Sequence, residues 1–207
     1  MNAISNLSCV VSAAMRLLFA AGFIACAFLT QAQPNIPLVS MGAVRKYLDT
    51  GVAQGTAWIA PAFNDDAWPS GPARLGYGNG GEGTVVGYGP NPTNRYITTY
   101  FRRSFVVDEP AAITNLVARL LSDDGAVLYL NGTEVVRSVM PETGPIFFST
   151  LATFPLHGDS EMGVYFWDVD PGLLVRGTNI LAVEVHLAAP NSTKMDFALE
   201  LAANTAP

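Results

Sequence analysis

Alternating apolar and polar residues run along positions 33–201 in short segments, and this pattern predicts β-strands. The segments are rich in β-branched and aromatic residues, and Gly, Pro, Asn and Asp separate them roughly every ten residues, which is typical of a β-sandwich or barrel. No long segment of this region has helical periodicity. We therefore predict an all-β domain with strands at 56–59, 96–107, 113–121, 126–130, 133–137, 164–169, 179–187 and 195–201.

The stretch DDGAVLYLNGTEVVR, residues 123–137, carries two turn signals. Asn131 and Gly132 separate two β-rich runs by two residues, and both tolerate the positive φ of a type I′ hairpin. Upstream, two aspartates precede a glycine, and aspartate side chains in turns accept hydrogen bonds from nearby backbone amides. We predict that Asp123 and Asp124 hold the backbone where a strand begins, and that they perform no chemistry.

A short helical turn and a strand follow one another late in the chain. Asp170 is the predicted N-cap, Pro171 fits the first helical position, and Gly177 ends the turn. In the next strand, the period of two directs one set of apolar residues to the core: Leu181, Val183, Val185 and Leu187. Glu184 and His186 then share the opposite face, where we predict a structural pairing.

The N-terminal region predicts a signal peptide. Residues 17–29 form an apolar run of thirteen, shorter than the roughly 18 residues of a membrane span, with Arg16 before the run and small residues after it. Cleavage after Ala32 would divide the chain into a leader, one jelly-roll module and a linker-like tail: 1–32, 33–201 and 202–207. The mature protein is then secreted, periplasmic or on the cell surface of a bacterium, and lipidation at Cys26 stays an open alternative.

The cysteine and charge content exclude several functions. Both cysteines, Cys9 and Cys26, lie in the predicted leader, so the module carries no disulfide, thiolate nucleophile or cysteine-ligated zinc. Loss of Arg16 leaves 10 basic against 17 acidic side chains, a net charge of −7. Because phosphate binding needs concentrated positive charge, nucleic acid and a membrane surface are excluded as partners of the mature form. A neutral sugar or a cation is compatible with this charge.

Six motifs, taken in order, resemble the galactose-binding-like jelly-roll modules of exported bacterial proteins, which often lie beside metallophosphatase, lamin-tail or spore-coat-kinase-like domains. The resemblance runs from about Tyr47 to Leu201. Its carriers are QGTAW (54–58), FNDDAW (63–68), LGYG (75–78), ITTYFRRSF (97–105), the hairpin at 123–137 and NILAVEVH (179–186). A more distant likeness exists to the sugar-binding jelly roll that precedes the catalytic barrel of many glycoside hydrolases.

The resemblance implies an all-β jelly-roll sandwich with an accessory role, no enzymatic activity and no resident cofactor. The residues themselves agree with that role. The chain has two histidines, His157 and His186, and it contains no G-x-S-x-G, H-E-x-x-H or P-loop motif. We therefore predict no catalytic residue.

Aromatic and acidic residues of the Gly/Pro-rich loops are the candidates for ligand binding. Trp68, Tyr77 and Tyr88 would stack on the C–H faces of a sugar while Asp66 accepts its hydroxyls. The alternative is that these rings plug the edge of the core, as large aromatic side chains usually do. Two tryptophans within strand patterns are expected to pack in the core: Trp58 and Trp167.

The acidic residues of the loops allow one cofactor, a structural calcium ion. Calcium takes about 6–8 oxygen ligands from carboxylates and carbonyls, and four aspartates lie in predicted turns: Asp65, Asp66, Asp123 and Asp124. Asp65 is the candidate ligand of such an ion. The alternative is that each of the four caps its own turn.

Arg102 and Arg103 are neighbours in a predicted strand and must point to opposite faces of the sheet. We expect one of the two to pair with an acid near the sheet, for which Glu184 and Asp124 are candidates. This role is architectural.

Two functional hypotheses from different classes follow. The first is a non-catalytic exported module that binds carbohydrate or another cell-surface or matrix component. The second is a spacer or docking module that packs against a partner protein domain and binds no small ligand. Exposed loop aromatics favour the first, and one broad apolar patch favours the second. A hydrolase is the third hypothesis, and no motif supports it.

Overall fold

The computed structural model describes residues 35–205, which form two six-stranded β-sheets. The predicted leader, 1–32, lies outside these residues. Sheet I has the order β10-β7-β12-β4-β5, with β1 also paired to β12. Its strands are β1 (Ile36–Val39), β4 (Leu75–Tyr77), β5 (Thr84–Val85), β7 (Ile113–Asp123), β10 (Tyr165–Val169) and β12 (Met195–Thr205).

Sheet II has the order β3-β2-β6-β11-β8-β9. Its strands are β2 (Val44–Leu48), β3 (Ser70–Pro72), β6 (Thr98–Val107), β8 (Gly125–Leu130), β9 (Thr133–Ser138) and β11 (Gly177–His186). Neighbouring strands pair antiparallel except the short pair β4 and β5. The predicted all-β sandwich is confirmed. Within residues 35–205 no helix is long and apolar enough to cross a membrane.

The prediction of individual strands is correct for the longer ones. Seven of the eight predicted strands are present, as β6 to β12. The prediction at 56–59 is wrong, because Ala57–Ile59 form a 3-10 turn that buries the Trp58 ring 4.8 Å from that of Tyr100. The strands β1 to β5 were not predicted, since they have two to five residues each and are too short to show alternation.

The C-terminal strand is longer than the sequence predicts. Residues 202–205, predicted as part of a linker-like tail, continue β12 and pair with β7. Ala202 and Ala203 are buried there, at 3% and 1% exposure. Their small side chains gave the segment the composition of a linker, although they fit a close-packed sheet equally well.

The predicted hairpin turn and the helical turn capped by Asp170 are confirmed, but the helical turn ends at Leu173 and not at Gly177, where β11 begins. Asn131 and Gly132 have φ of 51° and 87°, the positive values that a type I′ hairpin between β8 and β9 requires. The helical turn is the 3-10 segment Pro171–Leu173, and Asp170 Oδ1 accepts the Gly172 N–H at 2.8 Å. Asn131 also accepts the Ile180 N–H at 2.9 Å, which fixes the hairpin to β11.

The main core lies between the two sheets. Phe101 of sheet II and Phe197 of sheet I pack with their ring centroids 4.3 Å apart, and both are almost completely buried. The predicted inward face of β11 is confirmed, since four of its alternate residues belong to this core: Leu181, Val183, Val185 and Leu187. Their burial drives the association of the sheets.

The outer face of sheet II is also covered, by two irregular segments. Residues 49–68 place Trp58 and Trp68 over Tyr100 and Ala182. Residues 139–156 place Met140 and Ala152 over Val127. Consequently β11, in the middle of the sheet, is buried on both faces.

Asp124 attaches the second covering segment to the sandwich. Its Oδ1 accepts the Leu156 N–H at 2.9 Å, and its Oδ2 accepts the Ala188 N–H at 2.7 Å. Asp124 is 3% exposed, so both bonds are shielded from water. The predicted backbone-holding role is therefore confirmed for Asp124, and the partners are amides distant in sequence.

We expect Asp124→Ala to lower the free energy of unfolding by about 1–3 kcal/mol, because two buried N–H donors lose their acceptor. Asp66→Ala, at a side chain with 88% exposure, should have little effect. Thermal unfolding in EDTA and in excess calcium measures both changes. A calcium-dependent rise in the melting temperature of the wild type that Asp124→Ala abolishes would contradict the backbone-holding role.

Candidate functional site

The three predicted loop aromatics do not converge on one surface. Trp68 is 9% exposed and packs its ring 5.8 Å from that of Phe63, in the cover of sheet II. Tyr77 is 6% exposed and belongs to the core between the sheets. Tyr88 is 37% exposed, and its ring lies 5.2 Å from that of Tyr77. Of the three, only Tyr88 has an accessible ring.

Arg95 occupies the space beside this tyrosine pair. Its Cζ lies 4.3 Å from the ring centroid of Tyr88 and 5.0 Å from that of Tyr77. A guanidinium stacked on both rings uses the aromatic faces that a sugar would need. The arrangement therefore resembles an internal cation–π contact more than an open binding surface.

The predicted metal ligand Asp65 lies between two cations. Its Oδ1 is 2.7 Å from Lys46 Nζ, and its Oδ2 is 2.7 Å from Arg102 Nε. Partial burial disfavours ionisation of Asp65, but hydrogen bonds from Lys46 and Arg102 outweigh it and lower the pKa. Asp66, in contrast, is exposed and lies 3.4 Å from Lys46 Nζ.

The pairing of Arg102 differs from the sequence expectation. In the β11–β6 register Arg102 lies opposite Ala182 and Glu184 lies opposite Tyr100, and Arg102 Nε donates to Asp65 Oδ2. Its guanidinium donates to the Trp58 and Ala60 carbonyls as well. The expectation that one of the two arginines pairs with an acid is therefore confirmed, but the acid is Asp65 and not the suggested Glu184 or Asp124.

No metal centre is evident among residues 35–205, where no three His, Cys, Asp or Glu side chains form a group that could hold an ion. Both Asp65 oxygens have cationic partners, which weakens the attraction of that carboxylate for calcium. A structural calcium ion with Asp65 as its ligand stays a prediction.

A cleft with aromatic walls opens on the outer face of sheet II, between the two covering segments. It encloses about 510 Å³ and is called here the aromatic cleft. One wall comes from residues 53–59, the other from residues 145–149, and Phe147 on its rim is 63% exposed. The strands β6, β8 and β11 supply the floor: Tyr100, Tyr129 and Glu184.

Glu184 is the polar centre of the cleft floor. Its Oε1 accepts the Tyr129 hydroxyl at 2.8 Å, and its Oε2 lies 3.3 Å from His186 Nε2. The residue is only 5% exposed, so its carboxylate is largely shielded from bulk water. The predicted Glu184–His186 pairing on one face of β11 is confirmed as a contact.

His186 connects this floor to one wall of the cleft. Its Nδ1 lies 2.8 Å from the Thr150 carbonyl and 3.0 Å from Thr98 Oγ1. A carbonyl only accepts, so Nδ1 carries a hydrogen and donates it. Thr98 Oγ1 in turn donates to the Phe148 carbonyl at 2.5 Å. These bonds fix the backbone that presents Phe147 and Phe148.

The floor tyrosines stay protonated over a wide pH range. Burial, followed by the nearby charge of Glu184, raises the pKa of Tyr100 to about 12. The pKa of Tyr129 is raised by burial and by the charge and hydrogen bond of Glu184. Both phenols therefore remain neutral hydrogen-bonding groups at neutral pH.

Sequence reasoning found Glu184 and His186 but not the two floor tyrosines. Alternation within the predicted strands puts Tyr100 and Tyr129 on the outer face, next to the core residues Phe101 and Leu128. Their meeting with Glu184 depends on the pairing register of β11 with β6 and β8. A single sequence does not specify that register.

A second cavity, of about 240 Å³, lies at the turn between β7 and β8. Asp123 lines it and is 3% exposed, and its Oδ2 has no hydrogen-bond partner among the described residues. Burial raises the pKa of Asp123 to about 8, assisted by Asp124, Glu161 and Asp196. Unlike Asp124, this carboxyl holds no backbone amide in the described hydrogen bonds.

No protein-family model matches the sequence, and no curated protein matches it. Solved structures do match. A β-glucuronidase of Bacteroides uniformis aligns with 80% of this chain and 17% of its own, at 18% identity and a TM-score of 0.51. A β-glucuronidase of an uncultured Clostridium species aligns with 84% of this chain and 30% of its own, at 15% identity and a TM-score of 0.50.

A glycoside hydrolase family 2 β-glucuronidase gives the same picture, at 11% identity and a TM-score of 0.51. The chain thus spans 17–30% of the length of these enzymes. Because the identities are this low, the structural likeness establishes the fold alone. That fold is a β-sandwich like one that forms part of such enzymes. The distant likeness to the glycoside-hydrolase sandwich is confirmed to that extent, and membership of the accessory-module family stays a prediction.

We expect Asp123→Asn to stabilise the protein near neutral pH. In the unfolded chain Asp123 ionises near 3.8, whereas in the folded protein its pKa is about 8, so stability falls as pH rises between these values. An amide cannot ionise and avoids this loss, which amounts to a few kcal/mol at neutral pH. Thermal unfolding of both proteins across this pH range tests the effect.

The gain should shrink as the pH falls toward 3.8 and vanish well below it, where wild-type Asp123 is protonated in both states and loses nothing on folding. Asp66→Asn, at an exposed carboxylate, is the control and should show no comparable pH dependence. A destabilisation by Asp123→Asn at neutral pH would mean that the ionised carboxylate is the favoured form.

Proposed function

We propose that the protein is a non-catalytic module that binds a carbohydrate in the aromatic cleft. The observation that carries this proposal is a hydrogen-bonded carboxylate at the floor of an open cleft with aromatic walls. The fold likeness to part of glycoside hydrolases supports the class of ligand only by analogy. The predicted leader places the module outside the cytoplasm in this proposal.

The chemistry of the cleft suits a pyranose. Sugar rings present apolar C–H faces, which pack on exposed aromatic groups such as Phe147 and the half-buried Phe148 and Tyr129. A carboxylate offers about four lone-pair positions, and Tyr129 and His186 approach one oxygen each. The remaining positions of Glu184 accept sugar hydroxyls, while Thr56 and Ser149 add hydroxyls at the rim.

The same geometry supports binding without hydrolysis. Glycosidases usually place two carboxyl groups about 5–9.5 Å apart across the scissile bond. Among the described residues that line the aromatic cleft, Glu184 is the one acid, and it already accepts a hydrogen bond from the Tyr129 hydroxyl. The proposed role of the cleft is therefore binding, without the pair of carboxyl groups that a glycosidase uses as acid and base.

A docking module is the second candidate function, and exposed apolar residues favour it. Phe147, Leu151 and Phe154 are 63%, 39% and 54% exposed, and all three lie on the segment that covers sheet II. Exposed apolar residues close together mark protein contacts as well as ligand sites. If no glycan binds and a partner protein domain binds to this segment, docking is the favoured function.

We expect Phe147→Ala to weaken glycan binding about tenfold or more, since it removes an exposed ring from the rim. Phe166→Ala is the matched control, because Phe166 is also 63% exposed but lies on β10 of sheet I. Affinity electrophoresis against a polysaccharide panel, followed by calorimetry on the retained glycans, provides the measurement. If wild type is retarded by none of them, carbohydrate binding is refuted.

A further inference from the structure

The charge of the aromatic cleft points to a narrower class of ligand. We infer that the cleft selects glycans that carry a protonated amine, as in an oligosaccharide of glucosamine units. This inference rests on the proposed function, because it names the class of sugar that the same site takes.

Glu184 is the only charged side chain among the described residues that line the cleft. The guanidinium groups on this side of the sheet are engaged elsewhere. Arg102 is paired with Asp65, and Arg137 donates to Glu134 at 2.5 Å and 3.1 Å. A ligand ammonium group would therefore meet a carboxylate without competition from a lysine or arginine in the cleft.

The aromatic residues add a second attraction for a cation. The Trp58 ring lies 4.8 Å from that of Tyr100 and 5.7 Å from that of Tyr129, so three rings cluster next to Glu184. The faces of such rings are negative and attract an ammonium group, most strongly where water is excluded. Trp58 and Tyr100 are only 2% and 3% exposed, so the half-buried Tyr129 is the ring that can offer its face to a compact positive charge beside the Glu184 carboxylate.

His186 is the group that could offset the charge of Glu184. It is completely buried, with Nδ1 against the Thr150 carbonyl, and it is not among the residues that line the cleft. Its Nε2 lies 3.3 Å from Oε2 but forms no aligned hydrogen bond with it. The side of Glu184 that faces the cleft therefore keeps acceptor positions for a ligand amine.

An acidic sugar should be repelled by this site. Its carboxylate would approach Glu184 in a partly dehydrated cleft, where like charges repel more strongly than in water. Since no cation lines the cleft, nothing there compensates this repulsion. The order of affinity should therefore be amine-bearing glycan first, neutral glycan second and uronic acid glycan last.

Calorimetry with three oligosaccharides of equal length tests this order on the full chain. The ligands are a fully deacetylated glucosamine oligomer, its N-acetylated counterpart and an oligouronate, at a pH below the pKa of the amine. We expect the deacetylated oligomer to bind about tenfold more tightly than the acetylated one. This preference should shrink as salt is added, because salt screens the ionic part of binding.

Glu184→Gln keeps the shape of the side chain and removes its charge. We expect this variant to bind the two glucosamine oligomers with affinities within about threefold of each other. Glu134→Gln removes the same charge from the exposed pair with Arg137, outside the cleft, and should keep the wild-type preference. If Glu184→Gln fails to melt cooperatively, the salt dependence of the wild type decides.

Equal wild-type affinity for the acetylated and deacetylated oligomers, or a preference that salt does not reduce, would overturn the amine selectivity and leave carbohydrate binding intact. Binding of none of the three oligosaccharides would overturn the amine selectivity, and the polysaccharide panel then decides whether carbohydrate binding falls with it. Tight binding of the oligouronate would also refute the inference, because the cleft would then lack the negative potential assigned to Glu184.

Discussion

Burial of β11 on both faces is the constraint on which the rest of the structure depends. Its inner face closes the core against sheet I, and its outer face lies under two irregular segments. A strand in this position must satisfy every polar side chain without water. Asn179 does so through the Val175 and Gly177 backbone. His186 Nδ1 does so through Thr98 and Thr150, whereas its Nε2 lies 3.3 Å from Glu184 Oε2 without a hydrogen bond among the described residues. The polar residues of β11 thus hold in place the segments that cover it.

A buried arginine connects the two sheets of the sandwich by satisfying its polar groups in the same way, without water. Arg45 of β2 is 2% exposed and donates to the Ala43 carbonyl at 2.7 Å and to the Leu199 carbonyl of β12. Burial, with Arg103 nearby, lowers its pKa to about 10, so Arg45 stays charged at neutral pH. Because its guanidinium belongs to sheet II and its acceptor to sheet I, it fixes their relative position as well as their separation.

The sequence predicts those parts of the fold whose physical signals are local. The Asn131-Gly132 turn, the cap at Asp170 and the two faces of β11 depend on residues within a few positions of one another. The partners of Asp124 lie 32 and 64 residues away, so the acids at this turn were recognised as structural but their partners were not. The burial of Trp68 and Tyr77 could not be predicted for the same reason, since packing against residues distant in sequence decides it.

The position of the aromatic cleft explains why fold likeness alone cannot transfer a ligand to this protein. Its floor belongs to the strands, which the shared sandwich fold defines, but its walls are residues 53–59 and 145–149 of the covering segments. At 11–18% identity, similarity fixes strand positions and leaves loop side chains free to differ. Specificity therefore depends on which groups these segments leave accessible. Here the floor carries the carboxylate of Glu184, which is 5% exposed, is held by Tyr129 and is the one charged side chain among the described residues that line the cleft.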